Sequence, residues 1–381
     1  MFCEKCGKPL NDGAKFCPFC GAVVNATVEP KQADENVEPK MAKENKKEQP
    51  KKEKKKRKII PVLLVLLLVV LAFVYFRMSG NSEWEVSAHD DGTCGVVYKG
   101  NDSKVVIPAK IRKGIKTYEV TEVSDYAFAK NTLLNSVEIP DCVTCIGEGA
   151  FSDCKGLTTV GMSTELQKIG DSAFSGCANL KDMKIPSGVN DIDSLAFKGC
   201  ASLTSVAIPD GVETIYAQTF MDCTSLESVD LPDSIVEIFP NAFCGCVNLK
   251  EITIPGSTEA IRYSAFEGCS KLAEVTLSEG LQVINENVFN GCESLAAIDL
   301  PKTLTSIGDG AFANCKSLSS IEIPESVTVL GDEAFANCEN LKFVAVPPAY
   351  RDGIGVICGK DVFKSCSPEL QLVFGTRMTW D

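Results

Sequence analysis

The chain has 381 residues, with 51 acidic and 38 basic side chains, one histidine and a formal net charge of −13. Charge is divided unevenly: residues 1–76 carry 15 basic and 9 acidic side chains, and the remainder carries 23 and 42, for net charges of +6 and −19. The strongly negative larger part argues against DNA or RNA as its partner, and since the only histidine, His89, lies ahead of the periodic part of the chain, no histidine-based triad or histidine metal cluster can be assembled within that part.

Residues 1–25 open the chain with Cys3, Cys6, Cys17 and Cys20 in the spacing C-x2-C-x10-C-x2-C, with Gly7 and Gly21 directly after each pair. Paired thiolates on tight glycine turns suit tetrahedral zinc, because the turn lets backbone N–H groups reach the sulfurs. Two disulfides or a rubredoxin-like iron site are the competing readings. So short a segment buries too little to fold unaided, so a structural zinc is expected to supply the folding energy. The segment resembles the small zinc-ribbon domains found at the N-terminus of many bacterial membrane proteins.

Residues 26–58 are polar, free of aromatics and dense in Lys and Glu, the composition of a disordered linker. Ile59 to Phe76 then runs 18 residues without a charge, long enough as a helix to span a bilayer at about 1.5 Å per residue. Lys51, Lys52, Lys54, Lys55, Lys56, Arg57 and Lys58 crowd its N-terminal side, whereas only Arg77 stands near the other end. Positive charge stays inside, so the expected topology is a single-pass membrane protein with a cytoplasmic N-terminus and the remainder outside. Such a run, preceded by 58 residues, reads as an uncleaved anchor rather than a secretory signal.

Residues 77–104 read as an N-terminal cap, with Asp91-Gly92 as a hairpin turn between Trp84 and Tyr98. From residue 105 to 346 a repeat takes over. Phenylalanine returns every 23 residues from Phe128 to Phe335, and leucine keeps the same step from Leu134 to Leu341. Each leucine precedes a short apolar alternation such as Val206-Ala-Ile-Pro209, which reads as a strand ended by a proline that has no N–H to extend a ladder. A second aliphatic pair, such as Leu304 with Ile307, fits another extended edge, and Asp309 to Ala313 fits one helical or 3₁₀ turn around the phenylalanine. The residue before each repeat cysteine, for example Gly199, Asp222 or Asn314, tolerates positive φ. One coil cannot bury enough apolar surface to offset the ordering of its backbone, so stability must sit between coils, as in a solenoid. Residues 347–381 form a closing repeat and cap: the spacing stretches to 28 residues before Phe363, and Leu370, Leu372 and Phe374 alternate as a last strand.

Units such as Leu203-Thr-Ser-Val-Ala-Ile-Pro-Asp-Gly-Val-Glu-Thr-Ile215 and Ile307-Gly-Asp-Gly-Ala-Phe-Ala-Asn-Cys315 resemble the BspA-like leucine-rich repeats of bacterial surface proteins over about residues 105–366. The resemblance implies an α/β leucine-rich-repeat solenoid, strand-rich with short helical or 3₁₀ turns, and a habit of binding or adhesion at the cell surface. It implies no ligand and no reaction.

Cysteine recurs once per coil from Cys154 to Cys338, with Cys366 in the closing coil and Asn131 in the same slot of the first. Coils stacked at about 4.8 Å hold successive Cβ atoms too far apart for disulfides. Buried thiols serving the backbone inside the bend are therefore expected. Of the remaining cysteines, Cys142 and Cys145 are the pair that an oxidising space could join. No catalytic constellation stands out: His89 lies in the cap, and the Ser and Asp residues recur where turns and caps need them. A non-enzyme is expected.

The outward positions of the first strand hold Glu138, Asp182, Asp230, Glu251, Glu274, Asp299 and Glu322, with Lys184 and Thr276 among them. Such a face either solubilises the array or binds an extracellular protein or glycan, with a basic partner favoured. The expected function is a membrane-anchored cell-surface recognition or adhesion protein whose cytoplasmic zinc ribbon is a docking module. A transmembrane sensor signalling through that ribbon is the alternative, and nucleic acid stays open as a partner of the ribbon alone.

Overall fold

A computed structural model describes residues 83–352 and 356–374. The expected zinc ribbon, linker and transmembrane helix lie outside the described residues. Among the described residues, no helix is long and apolar enough to cross a membrane.

The array is a strand-rich solenoid of about 11 turns. It opens with an antiparallel hairpin, β1 (Trp84–Ala88) and β2 (Thr93–Tyr98), turned at Gly92 with φ of 90°. A second antiparallel pair, β3 (Lys110–Lys113) and β4 (Lys116–Val123), brings the chain to the first parallel ladder. Most coils then contribute two short parallel strands. On the first side Glu251 pairs with Glu274 and Ile252 with Val275; on the second, Ile284 pairs with Ile307 and Ile307 with Leu330. Both registers advance by one 23-residue repeat, because a side chain that slipped by one position would leave the core. The second ladder is the more continuous, running from Thr214–Ile215 to Ile357–Cys358, whereas the first is interrupted at 295–300 although Ile298 stays buried.

The phenylalanines form one column through the core. From Phe128 to Phe363 successive rings stack at centroid distances of 4.9–5.7 Å and interplanar angles of 1–18°. This is close to the strand spacing of the ladders, so one repeat length serves both backbone pairing and ring contact. Trp84 and Tyr98 close the column over Phe128, at 6.0 and 5.2 Å. At the far end the longer spacing holds a short helix, α1 (Pro348–Asp352), from which the Tyr350 hydroxyl donates to the Val327 carbonyl at 3.0 Å. Gln371–Phe374 closes the first ladder beside Phe343–Val346.

The expected helical turn around each phenylalanine is not formed, and the backbone shows why. Two residues per coil, placed two before and two after the ring, sit at positive φ of 53–77°: Gly310 and Asn314 in one coil, Leu195 and Gly199 in another. A left-handed residue stops a helix. Alternate N–H groups consequently leave the coil. Gly310, Phe312 and Asn314 donate to Asp332, Ala334 and Ala336 of the next coil at 2.8 Å, while Ala311 and Ala313 close local turns. The same three outward bonds recur from Tyr126, Phe128 and Lys130 to Glu333, Phe335 and Asn337. They satisfy N–H groups that a helix would have spent within the coil, and they make the bend a third inter-coil ladder.

Candidate functional site

The repeat cysteines line the inside of these bends. Each thiol donates to the carbonyl of the phenylalanine one coil back, from Cys154 to Phe128 at 3.0 Å through Cys200 to Phe174 at 3.3 Å and Cys338 to Phe312 at 3.2 Å. Burial pushes the Cys154, Cys223 and Cys315 thiols up to about 12. Thiols held protonated in this way are hydrogen-bond donors rather than nucleophiles or metal ligands. In the first coil Asn131 fills the slot by a different route, its Oδ1 accepting the Leu133 and Leu134 N–H groups. Cys142 and Cys145 are free thiols, with Cys142 directed at the Ala109 carbonyl at 3.5 Å.

The seven outward carboxylates are all exposed on the first ladder side. They fall into two adjacent columns: Asp182, Glu251 and Glu274 in one, Glu138, Asp230, Asp299 and Glu322 in the other. The structure brings only some of them together. Glu251 and Glu274 are cross-strand partners beside a depression of about 510 Å³ that also takes in Glu227 and two lysines, Lys250 and Lys271. Asp299 and Glu322 face a groove of about 600 Å³ rimmed by Lys302, Glu325 and Pro347. Glu138 lies apart over Gly161, and Lys184 and Ala207 separate it from Asp230 along the column. Among the described residues none of the seven joins an ion pair, whereas Glu227 pairs with Lys250 at 2.6 Å. The lysines Lys250 and Lys271 on this face were not part of the sequence expectation. They sit outside the alternating strand positions from which the face was read.

The second ladder side holds a feature the repeat reading passed over. Directly after its strand pairs the outer coils have glycine at Gly147, Gly170, Gly308, Gly331 and Gly359, and a Cβ at Gly308 would lie 2.6 Å from the Asn285 carbonyl carbon and at Gly331 2.4 Å from the Asp309 nitrogen. Three central coils place Tyr216, Phe239 and Arg262 there instead. The Tyr216 and Phe239 rings are half-buried and meet at 5.7 Å and 49°. Arg262 Nε donates to the Glu237 carboxylate, and Tyr263 beside it is 51% exposed. The available signal was the break in a column otherwise filled by small residues.

Among the described residues no group of three or more His, Cys, Asp or Glu side chains is placed to hold a metal ion. His89 is exposed in the opening hairpin, its Nδ1 2.9 Å from the Thr93 hydroxyl. Cys3, Cys6, Cys17 and Cys20 lie outside the described residues.

Residues 2–24 match a zinc-ribbon domain family. Residues 121–246 and 213–342 match the BspA type leucine rich repeat region. The fold is similar to that of a leucine rich cell surface protein from Faecalibacterium prausnitzii, at 28% identity and a TM-score of 0.52 over 77% of this chain and 94% of that one. A leucine-rich repeat protein from Bacteroides ovatus is similar at 24% identity and a TM-score of 0.48, over 77% of this chain and 98% of that one. No curated protein matches the chain. With more than half of its length matched by the repeat family, the chain belongs to the BspA-type leucine-rich repeat proteins.

Proposed function

We propose that this protein is a membrane-anchored cell-surface recognition or adhesion protein, which binds an extracellular protein or glycan through the first ladder side of its solenoid. The observation behind this reading is the set of unpaired, exposed carboxylates there, above all the cross-strand neighbours Glu251 and Glu274. Like charges directly opposite one another are unfavourable in a free sheet, and a basic partner would relieve that repulsion on binding. The likeness to a cell surface protein of the same repeat class supports display outside the cell. Ile59 to Phe76 is the anchor in this reading, with the basic run before it held on the cytoplasmic side by topology and anionic lipid.

The zinc ribbon then lies in the cytoplasm, where thiols stay reduced. Cys3, Cys6, Cys17 and Cys20 offer four thiolates in two knuckles, the donor set of a closed structural zinc site, and zinc there would fix the fold of a docking module. Function is carried by surface shape and charge, without a reaction.

The test uses the detergent-solubilised full chain on arrays of defined extracellular proteins and glycans, with the Glu251→Lys/Glu274→Lys/Asp299→Lys variant in parallel. Loss of the wild-type binding partners in the variant is the expected result. An unchanged pattern would remove this face from the reading.

A further inference from the structure

We infer that the second ladder side holds a separate docking strip for an extended, lysine- or arginine-rich segment of a partner protein. The inference rests on the reading of the solenoid as a recognition surface, and it names another face and the chemistry of its occupant.

The strip is aromatic at its centre and acidic at both ends. Tyr216 and Phe239 stand between Asp193 and Arg262 at a position that is glycine in the outer coils, their rings 5.7 Å apart and half-buried, and Tyr263, beside Arg262, has 51% of its surface open. The position next along the chain reads Glu148 and Asp171 before this centre and Glu286, Asp309 and Asp332 after it, while Ala217 and Pro240 occupy it in between. Three cations near the centre of the strip are engaged: Lys168 pairs with Asp191 and Asp193 at 2.6 and 2.8 Å, Lys198 donates to Gln218 at 2.7 Å, and Arg262 is held by Glu237, whereas exposed Lys360 follows Asp332 at the far end of the array. The terminal carboxylates Asp171, Glu286 and Asp309 take no ion-pair partner among the described residues.

Exposed aromatic faces attract ammonium and guanidinium groups lying within about 6 Å of the ring centroid. Carboxylates at either end add steering and register to such a contact. Asp171 and Glu286 are five coils apart, roughly 24 Å at ~4.8 Å per coil, which an extended segment of about seven residues spans at ~3.4 Å each. The part of the chain beyond residue 76 has a net charge of −19, so the long-range field favours the same occupant. An acidic peptide is repelled by both ends, and a neutral sugar would use the rings without the carboxylates.

The experiment measures binding of three probes to the full chain by calorimetry: an eight-residue peptide alternating arginine and glycine, its glutamate–glycine counterpart, and a neutral glucan oligosaccharide. Two variants accompany the wild type. Tyr216→Leu/Phe239→Leu keeps apolar bulk while removing the π faces, and Glu251→Gln/Glu274→Gln/Asp299→Asn neutralises the other face. The inference expects the arginine peptide to bind, the ring variant to weaken it tenfold or more at an unchanged melting temperature, and the neutralised variant to weaken it less than twofold. It is overturned if the arginine peptide fails to bind, if the glucan binds in its place, or if the ring variant binds within twofold of wild type. Loss in the neutralised variant alone would assign the peptide to the first ladder side, sinking this inference while supporting that reading.

Discussion

The Cys200 thiol reaches back one coil to the Phe174 carbonyl at 3.3 Å, and that carbonyl also accepts the Cys177 N–H at 3.1 Å. In the forward direction the Phe174 N–H donates to Ala196 of the Cys200 coil at 2.8 Å. Each ring residue is thus bonded through its own backbone to the following coil twice, once by its N–H and once by its carbonyl. The cysteine column is therefore part of the inter-coil bonding rather than a store of reactive thiols.

Replacing Cys200 with Ala should destabilise the solenoid by about 1 to 2 kcal/mol, since the carbonyl keeps one partner and loses the other. Urea denaturation of the full chain measures it. A change of less than a few tenths would show that the thiol contributes packing alone.

The raised thiols also set a pH dependence. A buried cysteine whose value moves from 9.0 to about 12, as at Cys154, Cys223 and Cys315, contributes stability that is fully present below pH 9 and is lost as pH rises towards 12. The unfolded chain releases these protons first, so alkali favours it. Melting temperature should hold steady to about pH 9 and then fall steeply, and Cys223→Ala should flatten that fall. A melt independent of pH between 9 and 12 would contradict the burial of the column.

Ring removal is the harsher lesion. Phe243 is fully buried between Phe220 and Phe266, at 5.4 and 5.2 Å. Phe243→Ala should cost about 3 to 5 kcal/mol, and because contacts run only between neighbours the damage should divide the array into two blocks. Hydrogen exchange should show fast amides clustered in the coils on either side of residue 243, with the distant coils protected.

Gly308 and Arg262 share one column position but not one tolerance. A Cβ at Gly308 meets the Asn285 backbone at 2.6 Å, so Gly308→Ala should destabilise by about 1 to 3 kcal/mol. Arg262→Ala, at a place where the coil already accommodates a side chain, should stay within about 0.5 kcal/mol. Thermal melts of the two variants compare them directly, and equal effects would refute the close approach.

Much of this was legible in the sequence because the repeat registers several independent residues at once. The phenylalanine step gave the stack, the proline-ended alternation gave the first ladder, and the glycine, asparagine or aspartate before each cysteine gave one of the two left-handed residues. The other left-handed residue escaped notice, since it is Leu195, Gln218 or Glu333 as readily as Gly149 or Gly310, and inter-coil hydrogen bonds rather than residue type hold it there. That omission is why a helical turn was expected where consecutive turns are found. The outward carboxylates were legible by strand alternation, whereas Lys250, Lys271 and the Tyr216–Phe239 pair were not, because they lie beyond the alternating positions and are joined only by the stacking of coils.

Display of the solenoid outside the cell requires its N-terminal segment and its repeats to lie on opposite sides of the membrane. Intact cells treated with protease and probed with antibodies against residues 1–58 and against the solenoid decide it. Loss of the solenoid epitope with survival of the N-terminal one is the predicted outcome. Protection of both, or loss of both, would contradict a surface protein displayed from a single anchor.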